Sequence, residues 1–205
     1  MRILAIGSHP DDIEFGCGGT LIKYTRGGHD LRLLVLTAGG GGGDAALRRQ
    51  EQEAAAAILG AKEVFWGEYR DTEIPVNQTL IQKIEDVVRS VAPDFIFVHY
   101  GSDTHQDHRH LAACTVSATR YTRNVLFYEG PTTHDFTPSV FVDIETELEE
   151  KVRALKAHSS QVLKTNVEGL SIADFCRASA HFRGIQGRVR SAEGFVPLRL
   201  FINVG

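Results

Sequence analysis

Two short, wholly apolar runs, Ile3-Leu4-Ala5-Ile6 and Phe95-Ile96-Phe97-Val98, constrain this chain most strongly. A run of that length with no alternation reads as a strand buried on both faces, which is the condition of a parallel sheet covered by helices. Other strand-like runs fall at Leu31 to Leu36, Val64 to Trp66, Val125 to Tyr128 and Val140 to Ile144. Helical patterns separate the first five. One passes through Leu21, Ile22 and Tyr24, one spans Ala45 to Leu59 and ends at Gly60, and one spans Leu80 to Val91 and stops before Pro93. This alternation predicts an α/β fold, a Rossmann-like and mostly parallel sheet flanked by helices and joined by right-handed crossovers. After Asp143 the rhythm changes: helices are expected over Glu145 to Ala157 and Ile172 to Phe182, and a terminal strand over Leu198 to Val204. That segment is expected to cap the sheet edge and to contribute substrate contacts. At 205 residues the chain fits one domain, 1–205.

Chemistry gathers where the two apolar runs end. The first leads into Ser8-His9-Pro10-Asp11-Asp12-Ile13-Glu14, the second into Asp103-Thr104-His105-Gln106-Asp107-His108-Arg109-His110. Ligands of open α/β sheets bind outside the carboxyl ends of the strands, so both clusters belong to one edge. Zinc in hydrolytic sites takes three protein ligands, mostly His and carboxylate, and keeps a position open for water. His9, one of the two acids Asp11 and Asp12, and one of the histidines His105 and His108 would supply such a set. The competing role for the acids is to cap a helix, because Asp at a strand-to-helix junction satisfies exposed amides. One Asp would suffice for that, and two acids stand beside a histidine here. For Glu14, capping and support of the site weigh equally.

These motifs resemble those of the LmbE/PIG-L family of zinc-dependent de-N-acetylases: His9-Pro10-Asp11-Asp12-Ile13-Glu14 matches its His-Pro-Asp-Asp-x-Glu motif and His105-Gln106-Asp107-His108 its His-x-Asp-His motif. The resemblance implies that His9, Asp12 and His108 ligate Zn2+, that Asp11 is the general base, that His105 faces the substrate carbonyl and that Asp107 supports it. It further implies removal of the acetyl group from a GlcNAc-type sugar or conjugate. Similarity continues at Arg48 and Glu51, at Asp71, at His158-Ser159-Ser160-Gln161 and at Ala192-Glu193-Gly194-Phe195. The loop Thr37 to Gly43 lacks the acidic residue often found there, and Ser191 stands where many relatives have Tyr. Both departures are expected to bear on substrate choice.

Other residues carry weaker expectations. Arg48 and Asp71 follow the second and third strands and suit sugar hydroxyls, with a surface ion pair as the plain alternative. His99 reads as a satisfied core or loop histidine, and Arg109 and His110 as residues of a helix start. The five glycines Gly39 to Gly43 predict a mobile loop beside the site. They lack the Gly-x-Gly-x-x-Gly spacing or a Lys-Ser/Thr ending, which argues against a dinucleotide or nucleoside-triphosphate enzyme. Cys17, Cys114 and Cys176 are scattered and odd in number, as expected of reduced thiols.

A formal net charge of −4 with interspersed signs excludes a nucleic-acid surface and a polybasic membrane anchor. The N-terminus starts on strand residues without a leader, and no apolar run approaches membrane-spanning length, so a cytoplasmic location is expected. The partner so implied is a small GlcNAc-containing molecule, with self-association to a homo-oligomer left open. Two rivals remain. A metallo-β-lactamase-like hydrolase would share part of the second cluster but leaves His9 to Glu14 without a role. A non-catalytic sugar- or nucleotide-binding module would need no metal.

Overall fold

The computed structural model describes residues 1–202. Strands β1 (Arg2–Gly7), β2 (Asp30–Thr37), β3 (Glu63–Tyr69), β4 (Phe95–His99) and β5 (Val125–Tyr128) pair with one another in parallel, and β7 (Ala192–Arg199) pairs antiparallel with both β5 and β6 (Val140–Asp143). The sheet order is β3-β2-β1-β4-β5-β7-β6. The chain starts in the middle of the sheet, moves outward to β3, then returns to the other side of β1 at β4. The switch point between β1 and β4 therefore opens a crevice at their carboxyl ends, where His9 to Glu14 and Asp103 to His108 emerge.

Helices α1 (Asp12–Arg26), α2 (Ala45–Leu59), α3 (Gln78–Val91), α4 (Gln106–Ala118), α5 (Leu148–Ala157) and α6 (Ile172–Gly187) complete the fold. One core layer gathers Ile3, Ala5, Leu33, Val35 and Phe97 under α1 and α2, and the other gathers Leu4, Ile6, Leu34, Ile96 and Val98 under α3 and α4. Alternate residues of each central strand thus enter opposite layers, which is why those strands are apolar throughout.

Helix α1 is buried on nearly every side from Ile13 to Ile22, more deeply than an amphipathic surface helix. Its glycines allow this. A Cβ on Gly16 would stand 2.0 Å from the Tyr128 ring, whose hydroxyl donates to the carbonyl of Ile6 at 2.8 Å. Underneath, Glu193 of β7 accepts from the amides of Gly19 at 2.8 Å and Thr20 at 2.7 Å, and pairs with buried Lys151 of α5 at 2.6 Å. Helix α1 is thereby tied to the C-terminal segment.

That segment differs from the sequence expectation. The final strand covers Ala192–Arg199, not Leu198 to Val204, and it inserts between β5 and β6 instead of capping the edge. Residues 203–204 of the expected strand lie outside the described residues, and Leu200 to Ile202 are not in a strand. The alternation of Ala192 to Phe195 is masked by small residues, whereas Leu198 to Val204 is more apolar. Helix α5 begins at Leu148 because residues 145–147 form a turn, and α6 continues five residues past Phe182 to Gly187. All three cysteines are buried free thiols.

Candidate active site

The turn after β1 is bent sharply. Asp11 sits in left-handed backbone at φ 89°, an uncommon conformation for a side-chain-bearing residue, and its carboxylate makes no capping bond to α1. The plain capping role thus fails for Asp11. Asp12 turns back instead, and its Oδ2 accepts from the amide of His9 at 2.7 Å and lies 3.1 Å from that of Ser8. Adjacent carboxylates consequently point apart, Asp12 inward and Asp11 toward the pocket.

Asp12 stands among imidazoles. Its Oδ2 is 3.3 Å from His9 Nδ1 and 3.0 Å from His99 Nε2, and its Oδ1 is 3.4 Å from His108 Nε2. The ligand atoms offered by His9, Asp12 and His108 lie within 4.8 Å of one another, a grouping that can hold a metal ion. A second such grouping, His9, Asp71 and His105, shares His9. Chemistry favours a cation at the first: both ring nitrogens of His108 are buried without a hydrogen-bond partner among the described residues, and its Nε2 faces a carboxylate beside an imidazole.

Each ligand ring is held from behind. His9 Nε2 lies 3.1 Å from Asp107 Oδ2 and 3.0 Å from Asp71 Oδ1, and His108 Nδ1 lies 3.2 Å from Asp103 Oδ2. Such outer carboxylates orient ligating imidazoles and raise their basicity. Asp107 therefore supports His9, from the other cluster, rather than a ring of its own motif. It is fully buried and also accepts from the amides of Thr72 at 2.8 Å and Ile74 at 3.3 Å. Asp103 is fixed by Thr132 and Thr133 at 2.7 and 2.8 Å.

His105 caps α4 through an unusual contact, in which the amide of Asp107 donates to His105 Nδ1 at 3.2 Å. An accepting Nδ1 carries no proton, so the neutral ring presents N–H at Nε2. Burial and the neighbouring His9 and His108 rings hold His105 below the usual histidine range, in favour of that neutral form. His99, His108 and His105 stack with centroids 3.9 and 4.7 Å apart. Burial and His108 push His99 down to about 4, while His108 itself is raised to about 9 because Asp12 and Asp103 outweigh the cost of burial. Asp11 is pushed up to about 6, first by burial and then by Asp12 and Glu14, against the pull of His158 and Arg48.

Helix α2 braces the turn. Arg48 donates to the carbonyls of Pro10 and Gly39 at 2.8 Å each and reaches Asp11 Oδ2 at 3.3 Å, while Gln52 accepts from the amide of Asp11 at 3.3 Å and donates to Glu14 at 2.7 Å. Glu14 is fully buried and lies 3.6 Å from His158, so it supports the turn and is no simple cap. Glu51 holds Ser159 and Ser160. The glycine loop is tied down by Arg48, by Asp71, which accepts from Gly41 at 2.8 Å, and by Lys164, which donates to the Gly42 carbonyl at 2.5 Å.

His9, Asp11, Asp12, Arg48, Asp71, His105 and His108 line one pocket of about 1010 Å³, and Asp107 lies beneath it. Two expectations are corrected. His99 is no bystander, since it packs on His108 and Asp12. Ser191 is buried beside His181, away from the pocket lining. Arg109 and His110 bond to backbone carbonyls at the helix start, as read. Sequence reasoning missed Asp103 and Gln52. Asp103 stood in view, two residues before His105, but Gln52 carries no local sign.

Fold and site together define an α/β protein with a buried His/Asp group competent for a metal at the carboxyl edge of its sheet. Residues 4–119 match the family model described as PIG-L, GlcNAc-PI de-N-acetylase. A relative from Escherichia coli strain K12, "Uncharacterized deacetylase YaiS", is 34% identical over 167 residues, covering 77% of this chain and 90% of the relative. The diacetylchitobiose deacetylase of Thermococcus kodakarensis is 31% identical, covering 96% of this chain and 83% of that one. The solved N,N'-diacetylchitobiose deacetylase from Pyrococcus horikoshii superposes with a TM-score of 0.86 at 28% identity, over 96% of this chain and 83% of that structure. The chain belongs to the PIG-L family, and its activity class is that of a deacetylase.

Proposed function

We propose that the protein is a zinc-dependent hydrolase that removes the N-acetyl group of a GlcNAc-type sugar or sugar conjugate, releasing acetate and a free amine. The observation that carries this reading is the separation of roles at the turn after β1: Asp12 faces His9 and His108, while Asp11 is free of capping and borders the same pocket. His9, Asp12 and His108 would hold the ion. Bound there, zinc supplies Lewis acidity and lowers the pKa of water toward about 7.

The remaining work falls to the protein's own groups. Asp11 takes the proton of the attacking water at its carboxylate and returns one to the departing nitrogen, which leaves poorly unless protonated. Arg48 fixes the turn that aims that carboxylate. His105 offers its Nε2–H to the oxygen that gains charge as the carbonyl carbon becomes tetrahedral, a contact worth about 3 to 4 kcal/mol in comparable sites. Asp107 holds His9 in orientation. Asp71 and Arg48 border the pocket, and in this reading they would meet the sugar hydroxyls.

Acetate release from a panel of GlcNAc conjugates, with chelator and with zinc restored, tests the reading. Turnover that disappears with chelation and returns with zinc is expected; turnover indifferent to chelation would remove the metal from the mechanism.

A further inference from the structure

Residues 129–139 join β5 to β6 and belong to no strand; one isolated bridge, between Thr133 and Asp103, ties them to the loop after β4. This loop borders the site in two ways. Gly130, Pro131 and Thr132 line the pocket, and the hydroxyls of Thr132 and Thr133 donate to Asp103 at 2.7 and 2.8 Å. Asp103 in turn stands 3.2 Å behind His108 Nδ1. A displacement of the loop therefore moves the carboxylate that orients a ligand ring.

Arg183 of α6 holds the loop. Its Nε and Nη2 donate to the two carboxylate oxygens of Glu129 at 2.6 and 2.5 Å, and its Nη1 donates to Gln186 at 2.7 Å. A bidentate fork of this kind fixes direction as well as distance. The same guanidinium lies 5.3 Å from the ring of Phe136, which meets the Tyr100 ring edge-on at 5.1 Å. Arg183 thus grips the loop at both ends, at Glu129 before the pocket-lining residues and at Phe136 after the two threonines.

The place of the arginine is itself built into the sheet. Arg183 is only 8% exposed, and its stem packs beside Gly194 of β7. A Cβ at Gly194 would stand 2.9 Å from Pro138, near the end of the same loop, and 3.4 Å from Arg183 Cδ, so the glycine lets loop and arginine lie close together. An ion pair that merely tied α6 to the sheet would need Glu129 alone. The second contact, at Phe136, encloses the segment that holds Asp103.

We infer that Arg183 is a positioning residue for the deacetylase site: by clamping loop 129–136 at Glu129 and Phe136 it sets Asp103 behind His108, and so raises the affinity of His9, Asp12 and His108 for their metal. It lies outside the pocket lining and acts only through the loop. The inference rests on the zinc hydrolase reading of that group and adds a residue on a distant helix to it.

The test is a double-mutant cycle on zinc affinity, measured by chelator competition in Arg183→Met, Asp103→Asn and the double variant. Arg183→Met is expected to weaken zinc binding by about tenfold in the native background, the lower end of what loss of a direct outer partner causes, and by less than about twofold when Asp103 is already Asn. Arg183→Lys keeps the charge without the fork and should fall between native protein and Arg183→Met. It carries the test together with Glu129→Gln if the Met variant does not fold.

Hydrogen exchange in the metal-free proteins gives a second readout. The amides of Thr104, Thr133 and His134 bond to the carbonyls of Thr132, Gly130 and Ser102. In Arg183→Met their exchange should accelerate by about tenfold more than that of the β1 and β4 amides, because the opening is local. Unchanged zinc affinity, equal losses in the two backgrounds, or exchange that accelerates uniformly across the sheet would reduce Arg183 to a stabilising ion pair and overturn the inference. A native protein that binds no zinc, with loop amides that still respond selectively, would sink the zinc reading and uphold the clamp.

Discussion

Asp103 Oδ2 lies 3.2 Å from Nδ1 of His108, behind the ring nitrogen that faces Asp12. The contact fixes the ring and leaves Nε2 as the atom directed at the cluster. Asp103→Asn should keep the fold, because Thr132 and Thr133 can still bond the amide, but lower zinc affinity by about 10- to 100-fold. Competition with a chelator of known affinity measures it, and an unchanged affinity would assign Asp103 to loop structure alone.

The two adjacent acids should separate cleanly. Asp11→Asn is expected to retain metal and lose about 10²- to 10⁴-fold in turnover, the usual contribution of a positioned acid–base group. Asp12→Asn and His108→Ala are expected to lose metal, while Gln106→Ala retains it. Metal analysis of the four purified variants decides between this assignment and its reverse.

Asp71 has two neighbours in the protein, His9 at 3.0 Å and the amide of Gly41 at 2.8 Å, and those contacts hold its carboxyl down at about 2. Asp71→Ala should therefore slow turnover of any acetamide through His9. A sugar substrate should lose a further amount of about 1 to 3 kcal/mol, from a hydroxyl left unpaired. Kinetics on a GlcNAc conjugate and on a ring-less acetamide separate the two effects; equal losses would confine Asp71 to supporting His9.

Lys151 and Glu193 form a buried pair, each about 4% exposed, beneath α1. Removing one partner leaves the other charge buried, so Lys151→Met should destabilise the protein by about 3 to 5 kcal/mol in denaturant unfolding. Burial opposes the charged lysine, but Glu193 outweighs it and raises the folded pKa above the ordinary 10.5. The pair's stabilisation is thus fully present below that pH and is lost as pH climbs through the higher folded value. A stability difference between native and variant protein that shrinks as pH rises above about 10 is expected; a difference that persists unchanged well above that pH would show that another group carries the effect.

How much of this was legible in the chain depends on the range of the interactions. The apolar runs at Ile3 and Phe95 announced buried parallel strands, because a strand covered on both faces leaves no position for a polar residue. His9 to Glu14 and Asp103 to His108 announced a shared edge, because parallel strands place their exits together. Local residue chemistry sufficed for both. It did not suffice where partners come from distant elements. That Asp107 serves His9, 98 residues away, that His99 stacks on His108, and that Gln52 and Arg48 of α2 brace the Asp11 turn are consequences of the β1–β4 switch point and of α2 packing beside it. The final strand was misplaced for a similar reason: Ala192 to Arg199 holds its position by pairing with β5 and β6, which no run of its own residues displays. Sequence determined which groups are present and at which edge; tertiary packing decided which carboxylate stands behind which imidazole.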